Sequence, residues 1–258
     1  MAKIKLEKID ITKAQEYMQT IYSLRTTLSN YFGQPFEKND KYFETNNTFV
    51  LAKPIRDFYR IYVASNNKKE LVEILSDLEG TNVINFPTKG NVQDIETIMT
   101  ESGYERIGIY ERFSYNVKNL TANDDISKIE FAEAGDEEEI YNIYTSWQGF
   151  NFYTDYLPTH EELKKFIENK SVIINKQDGS IVGTFIFEPY GRKYYLRLWI
   201  DISKKGLQLL KNVFSILKHN KIEYAYLWVS SDNKRVIALH QLFGAVPDGL
   251  KDYTYIKR

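Results

Sequence analysis

The chain has 258 residues, 34 basic against 35 acidic, and a formal charge of −1 at pH 7. With 43% hydrophobic and 15% aromatic residues it can build a sizeable core, which excludes wholesale disorder, and its balanced charge gives no electrostatic footprint for nucleic acid. It contains no cysteine, which excludes disulfides, thiol nucleophiles and thiolate metal sites.

Residues 4–9 read as a short strand, and a helical pattern follows from Ile11 with Tyr17, Ile21 and Leu24 at helical spacing. Strands are expected over 48–52 and 58–64, a helix over 68–78, a short strand over 83–86 and a helix over 92–102 that Gly103 stops. An alternating run over 107–115 closes the first half. Residues 116–127 are polar and follow neither period, so they read as a linker between domains at 1–118 and 127–258.

The second half repeats the order. It runs through a strand over 128–132, a helix over 137–147, a helix over 159–169 opened by a Thr159–Glu162 capping box, and a strand over 172–175. A turn at Asp178-Gly179, strands over 181–188 and 194–201, a helix over 206–220, a strand over 223–229, a helix over 234–243 and a strand over 253–257 complete it. Short echoes link the halves, Ile21-Tyr22 with Ile143-Tyr144 and Phe113-Ser114-Tyr115 with Tyr253-Thr254-Tyr255. Strands alternating with helices place the chain in the α/β or α+β class. The first ten residues carry charges where a secretory leader needs an apolar stretch, and no apolar run approaches the ~18 residues of a membrane span. A cytoplasmic protein with no membrane or nucleic-acid partner is expected.

Several chemistries lack their residues. The three histidines, His160, His219 and His240, form no His-x-x-x-His pair, so no metal is expected. The stretch Gly179-Ser180-Ile181-Val182-Gly183 has the wrong spacing for a nucleophile elbow, and Walker and dinucleotide glycine patterns are missing.

The informative region is 194–245. On the strand over 194–201, alternation places Tyr195, Arg197, Trp199 and Asp201 on one face and Tyr194, Leu196, Leu198 and Ile200 on the other. Lys204 and Lys205 then precede a helix opening at Gly206 and Leu207, whose first amides form an anion site or, on the plainer reading, a solvated helix start. Upstream, residues 147–156 carry five aromatics, Tyr153 and Tyr156 among them, which either line a pocket or roof the core.

This order of elements resembles the GNAT superfamily of acyl-coenzyme A-dependent N-acyltransferases. Its later helix motif, Asn-x-x-Ala-x-x-x-Tyr-x-x-x-Gly-Phe, is met in register by Asn233, Val236, His240, Gly244 and Ala245. Its phosphate turn, [Arg/Gln]-x-x-Gly-x-[Gly/Ala], is met at Gly206 and departs at Ser203 and Gln208. The resemblance implies two tandem domains, each a mixed twisted sheet flanked by helices. The first is an eroded copy, with Ser65-Asn66-Asn67 and no glycine in its turn and Met99 where the tyrosine would stand.

The resemblance also implies roles. Acetyl-CoA, or another acyl-CoA, would be the cosubstrate. Its pyrophosphate would be held by Gly206 and Leu207 with Lys204 and Lys205, its thioester and pantetheine arm by the amides of Ile200 and Ile202, and Asn233 would reach toward the coenzyme. His240 would return a proton to the leaving thiolate, and Asp201 or Glu188 would take one from the amine through water. Arg197, Trp199, Tyr153 and Tyr156 would shape the acceptor pocket. The implied activity is N-acetylation of an amine on a small molecule or peptide. The alternative is a degenerate fold that binds a ligand or partner without turnover, which Ser203 and Gln208 favour. Aminoacyl transfer from tRNA is a third reading, opposed by the short chain and the absent basic excess.

Overall fold

The computed structural model describes residues 6–23, 28–30, 35–122, 125–203 and 206–258. In chain order the elements are β1 (Glu7–Lys8), α1 (Ile11–Ser23), β2 (Leu28–Ser29), β3 (Lys41–Glu44), β4 (Thr48–Ile55), β5 (Phe58–Ser65), α2 (Lys68–Asp77), β6 (Asn82–Thr88), α3 (Gln93–Glu101) and β7 (Glu105–Asn116). They continue with α4 (Glu137–Ser146), α5 (His160–Glu168), β8 (Val172–Gln177), β9 (Ser180–Tyr190), β10 (Lys193–Asp201), α6 (Gly206–His219), β11 (Tyr224–Ser230), α7 (Lys234–Leu242) and β12 (Val246–Lys257). The run β3-β4-β5-α2-β6-α3-β7 recurs as β8-β9-β10-α6-β11-α7-β12, which makes this a mixed α/β chain with a repeated order of elements.

Two compact units result, Met1–Tyr110 with Leu250–Arg258, and Glu111–Gly249. Each long last strand therefore starts in one unit and ends in the other. Residues 253–257, expected to close the second half, lie in unit 1, where β12 pairs antiparallel with β6 from Lys251↔Thr88 to Lys257↔Asn82. Gly249, at φ +84, sits at this changeover in a conformation that side-chain-bearing residues rarely adopt. The strand expected over 253–257 starts earlier, at Val246, and runs through Pro247-Asp248-Gly249 despite their turn composition. Two smaller differences concern short segments. Residues 128–132 contribute only a bridge from Phe131 to Ile173, and β3 was not foreseen from its four residues.

In unit 1 the strand order is β1-β3-β4-β5-β6-β12, antiparallel except for β5 and β6. Asn67 caps α2 by accepting the Glu70 N–H, and Leu71, Ile74 and Leu75 at helical spacing bury against Val50, Ile61, Val63 and Ile84. In unit 2, β8, β9 and β10 pair antiparallel and β10 pairs parallel with β11. Alternation along β9 sends Phe185 and Phe187 to a core with α6 and Ile186 to a core with α4 and α5, which Ile181 joins because the register with β8 slips between Asn175↔Gly183 and Lys176↔Ile181. The Thr159–Glu162 capping box opens α5 as its sequence predicts.

Both units share one irregularity. The parallel ladder between β10 and β11 spans only Lys193↔Tyr224, Tyr194↔Ala225 and Tyr195↔Tyr226, and that between β5 and β6 only Tyr59↔Asn82, Arg60↔Val83 and Ile61↔Ile84. Beyond those pairs each couple of strands forms a fork.

Unit 1 also buries a polar chain in which Arg60 donates to Asn85 (2.5 Å), and Asn85 to Thr254 (2.7 Å) and Asp252 (3.0 Å). Burial pushes the Asp252 carboxyl up to about 6, with the Asn85 hydrogen bond and the Arg60 charge offsetting it only in part. The folded state thus keeps this proton to higher pH than the unfolded chain, so stability is lost as pH rises from about 4 through 6, by about 3 kcal/mol at neutral pH. Asp252→Asn should gain stability relative to the parent across that window, read from denaturant unfolding at pH 4.5 and 7.5. An advantage for the parent that grows with pH would refute this.

Candidate functional site

The fork of unit 2 is bounded by β10, β11 and the start of α6. β9 covers one side of β10 along its length, and the β11 ladder ends at Tyr195. The Ile202 N–H donates to Val182 O (2.8 Å), toward β9. Amides alternate in direction along a pleated strand, so Ile200 shares that side, while Trp199 and Asp201 direct their N–H groups into the fork. This corrects the expectation for Ile200 and Ile202, since only the phase of the ladder decides which amides are left over. The Ile200 side chain is buried in the core with α4 and α5, and that of Ile202 is exposed.

A β-bulge changes the faces of β10. The register with β9 slips between Leu196↔Phe187 and Leu198↔Ile186, leaving Arg197 as the extra residue. Tyr194, Leu196 and Trp199 consequently pack in the α6 core, whereas Leu198 and Ile200 pack with α4 and α5, and Arg197 lies over the Phe166 ring of α5 (5.4 Å). Arg197 and Trp199 thus occupy opposite faces, contrary to simple alternation.

On the α6 face, Asp201 Oδ1 accepts from the Ser203 N–H (2.8 Å) and hydroxyl (2.9 Å). Its Oδ2 and the Trp199 indole N–H are buried without a protein partner. Gly206 opens α6 as expected, and a Cβ there would lie 3.2 Å from both Asp201 Cβ and the Trp199 ring, so close helix–strand packing accounts for the glycine. Leu207 is exposed. Lys204 and Lys205 fall outside the described residues. Gln208 turns along the helix to Asn212 (2.8 Å) instead of over the helix start, and both line a polar cleft of about 190 Å³ with Ser203, Asn175 and Lys128.

His240 is 3% exposed. Its Nδ1 shares a hydrogen bond with the Tyr115 hydroxyl (2.7 Å), and its ring meets the Trp199 edge at a centroid distance of 5.9 Å. Burial lowers its pKa to about 4 and raises that of Tyr115, so both rings are neutral at pH 7. The spacing match brought His240 beneath the fork, but in a state that holds no spare proton. Asn233 caps α7, its side chain accepting the Val236 N–H (3.2 Å).

On the opposite face, Glu188 Oε2 accepts from Arg197 (3.1 Å) in a half-buried ion pair. Tyr195 stacks on Tyr226 (5.1 Å), and burial raises both phenols. Arg112 lies over Tyr226 (5.6 Å) and Trp228 (5.8 Å) and pairs with Asp248 (2.6 Å). The alternation Tyr224, Tyr226, Trp228 could have revealed this aromatic row, whereas Arg112 and Asp248 are 136 residues apart and had no local signal. In the 147–156 segment only Phe150 packs into the helix core; Tyr156 is exposed and Tyr153 half-buried. Among the described residues no group of acidic or histidine side chains could hold a metal, and no helix is long and apolar enough to cross a membrane.

No family model matches this sequence, and no curated protein matches it in sequence. Solved structures do match its fold. A GCN5-related N-acetyltransferase from Sphaerobacter thermophilus superposes with a TM-score of 0.63 at 11% identity, over 100% of this chain and 96% of that one. A GNAT-family acetyltransferase from Colwellia psychrerythraea gives 0.59 at 12% over 98% and 99%. A tandem GNAT protein from the clavulanic acid biosynthesis pathway gives 0.56 at 7% over 98% of both chains. The chain has the GNAT superfamily fold. In that fold the neutral, enclosed His240 has a measurable consequence for stability. The unfolded state, near the ordinary ~6.5, takes up its proton before the folded state does, so stability is full above that pH and falls by up to about 3 kcal/mol as pH drops toward 4. His240→Phe should flatten the acid limb between pH 6.5 and 4 in denaturant titrations; an unchanged slope would show that His240 titrates freely.

Proposed function

We propose that unit 2 is an acyl-CoA-dependent N-acyltransferase, with acetyl-CoA the first donor to test, acting on an amine of a small molecule or peptide. The observation that carries this reading is the fork, which no other segment enters among the described residues and into which the amides of Trp199 and Asp201 face, beside the N-terminus of a 14-residue helix. An extended thioester arm laid along β10 would satisfy those donors, one of them polarising the carbonyl, with phosphate at the helix start.

The amine would approach from the face that carries Tyr195, Tyr226, Glu188 and Arg197. Arg197 holds Glu188 Oε2, leaving Oε1 to accept a proton from the ammonium through water. The neutral amine attacks the thioester carbon, the C–S bond breaks, the electron pair leaves on sulfur, and the second proton of the nitrogen passes to that thiolate or to solvent as the amide forms. With an ordinary thiol pKa of ~8.5, that thiolate needs little acid assistance, so a neutral His240 does not block the reaction. In this reading Tyr153 and Tyr156 border the acceptor.

One observation favours the alternative, a binding protein without turnover: the Asp201 carboxylate takes the Ser203 amide at the turn where a phosphate would dock. Two variants separate the readings. Glu188→Gln should lower turnover by roughly 10² to 10⁴ with little change in acetyl-CoA affinity. Asp201→Asn should tighten coenzyme binding by removing a like charge while retaining an acceptor for Ser203. Because the chain has no cysteine, released coenzyme A can be followed with a thiol reagent free of protein background. Acetyl-CoA binding with no thiol release across a panel of amines would favour the binding protein.

A further inference from the structure

The fork of unit 1 is filled by its own chain. β4 covers one side of β5 from Thr48↔Ser65 to Ile55↔Phe58, so β2, which pairs with β5 at Leu28↔Ser65 and Ser29↔Ala64, can lie only on the other side, where the β6 ladder has ended. Asn30 completes the insertion and is 2% exposed. Its N–H donates to Val63 O (3.2 Å), and its Oδ1 accepts the Val63 N–H (2.6 Å). Its Nδ2 donates to Ile61 O (3.0 Å) on β5 and to Asn85 O (2.8 Å) on β6. The Ser29 hydroxyl adds a bond to Val63 O (3.0 Å). One carboxamide thus bridges both arms, and the far arm is fixed because the Asn85 side chain is bound to Arg60, Asp252 and Thr254.

We propose that residues 28–30 are a built-in occupant of this fork, lying where the extended arm of an acyl-coenzyme would lie, so that each chain has one coenzyme site, in unit 2. The second clause rests on the acyltransferase reading of that unit. In unit 1 a strand-like ligand would have to displace β2 and break the bonds that the Asn30 carboxamide makes to Ile61, Val63 and Asn85. In unit 2, among the described residues, β10 pairs with β9 and β11 alone, and no segment enters the fork.

Hydrogen exchange of the full chain, followed by NMR, tests the occupant without any coenzyme. The Val63 amide should exchange on the order of 10³-fold slower than an unprotected amide, and Asn30→Gly should speed it at least ~10-fold while Val50 and Ala52 stay protected. A Val63 amide that exchanges at the open-chain rate in the parent overturns the proposal, even if the variant fails to fold. Calorimetric titration of the parent with acetyl-CoA should give one equivalent per chain, and two equivalents overturn the single-site claim. No binding at all defeats the acyltransferase reading of unit 2, and Val63 exchange still decides whether the unit 1 fork is occupied.

Discussion

Two parallel strands that hydrogen-bond for three residues and then separate leave backbone donors and acceptors that must find partners inside a folded sheet. Both units contain this constraint, because β5 and β10 each run on beyond their short ladders. They resolve it differently. In unit 1 the Asn30 peptide and carboxamide occupy the gap and satisfy groups on both arms. In unit 2 the Trp199 and Asp201 amides face a gap at the start of α6 that no segment enters among the described residues. Unit 2 is therefore the place to look for a ligand, whatever the turn sequences say.

The second determinant is the bulge at Arg197. A strand without it would set Arg197, Trp199 and Asp201 side by side, as strict alternation requires. The extra residue instead sends Arg197 to Glu188 and Phe166, and Trp199 to Phe185 and His240. The two sides of the fork thereby acquire different chemistry. One is apolar and lies beneath α6, with a single carboxylate at its end, and the other carries an ion pair among stacked tyrosines. Two chemically distinct approaches to the fork follow from one inserted residue.

Burial also settles the protonation states that sequence comparison left to residue type. At the position where the resembling family places a tyrosine, His240 is buried with Tyr115 as its hydrogen-bond partner, and desolvation lowers its pKa. In unit 1 the same effect acts on Asp252 with the opposite sign, since burial disfavours whichever form is charged. Both groups weaken folding in part of the pH range, His240 toward acid and Asp252 toward neutrality.

Much of the architecture was legible locally. The helices at Lys68–Asp77, His160–Glu168 and Gly206–His219 follow from apolar spacing and their first residues, and β5, β9 and β10 from alternation. The repeated order of elements, and with it the GNAT fold, needed no coordinates because each element carries its own period. Only the tertiary structure decided which amides of β10 remain over, which face Arg197 takes, that His240 is enclosed, and that β2 enters the fork of unit 1. Each of these depends on pairing between residues distant in the chain, such as Asn30 with Asn85 or Tyr115 with His240, and a one-residue slip in pairing reverses a strand's faces without altering the composition of any segment.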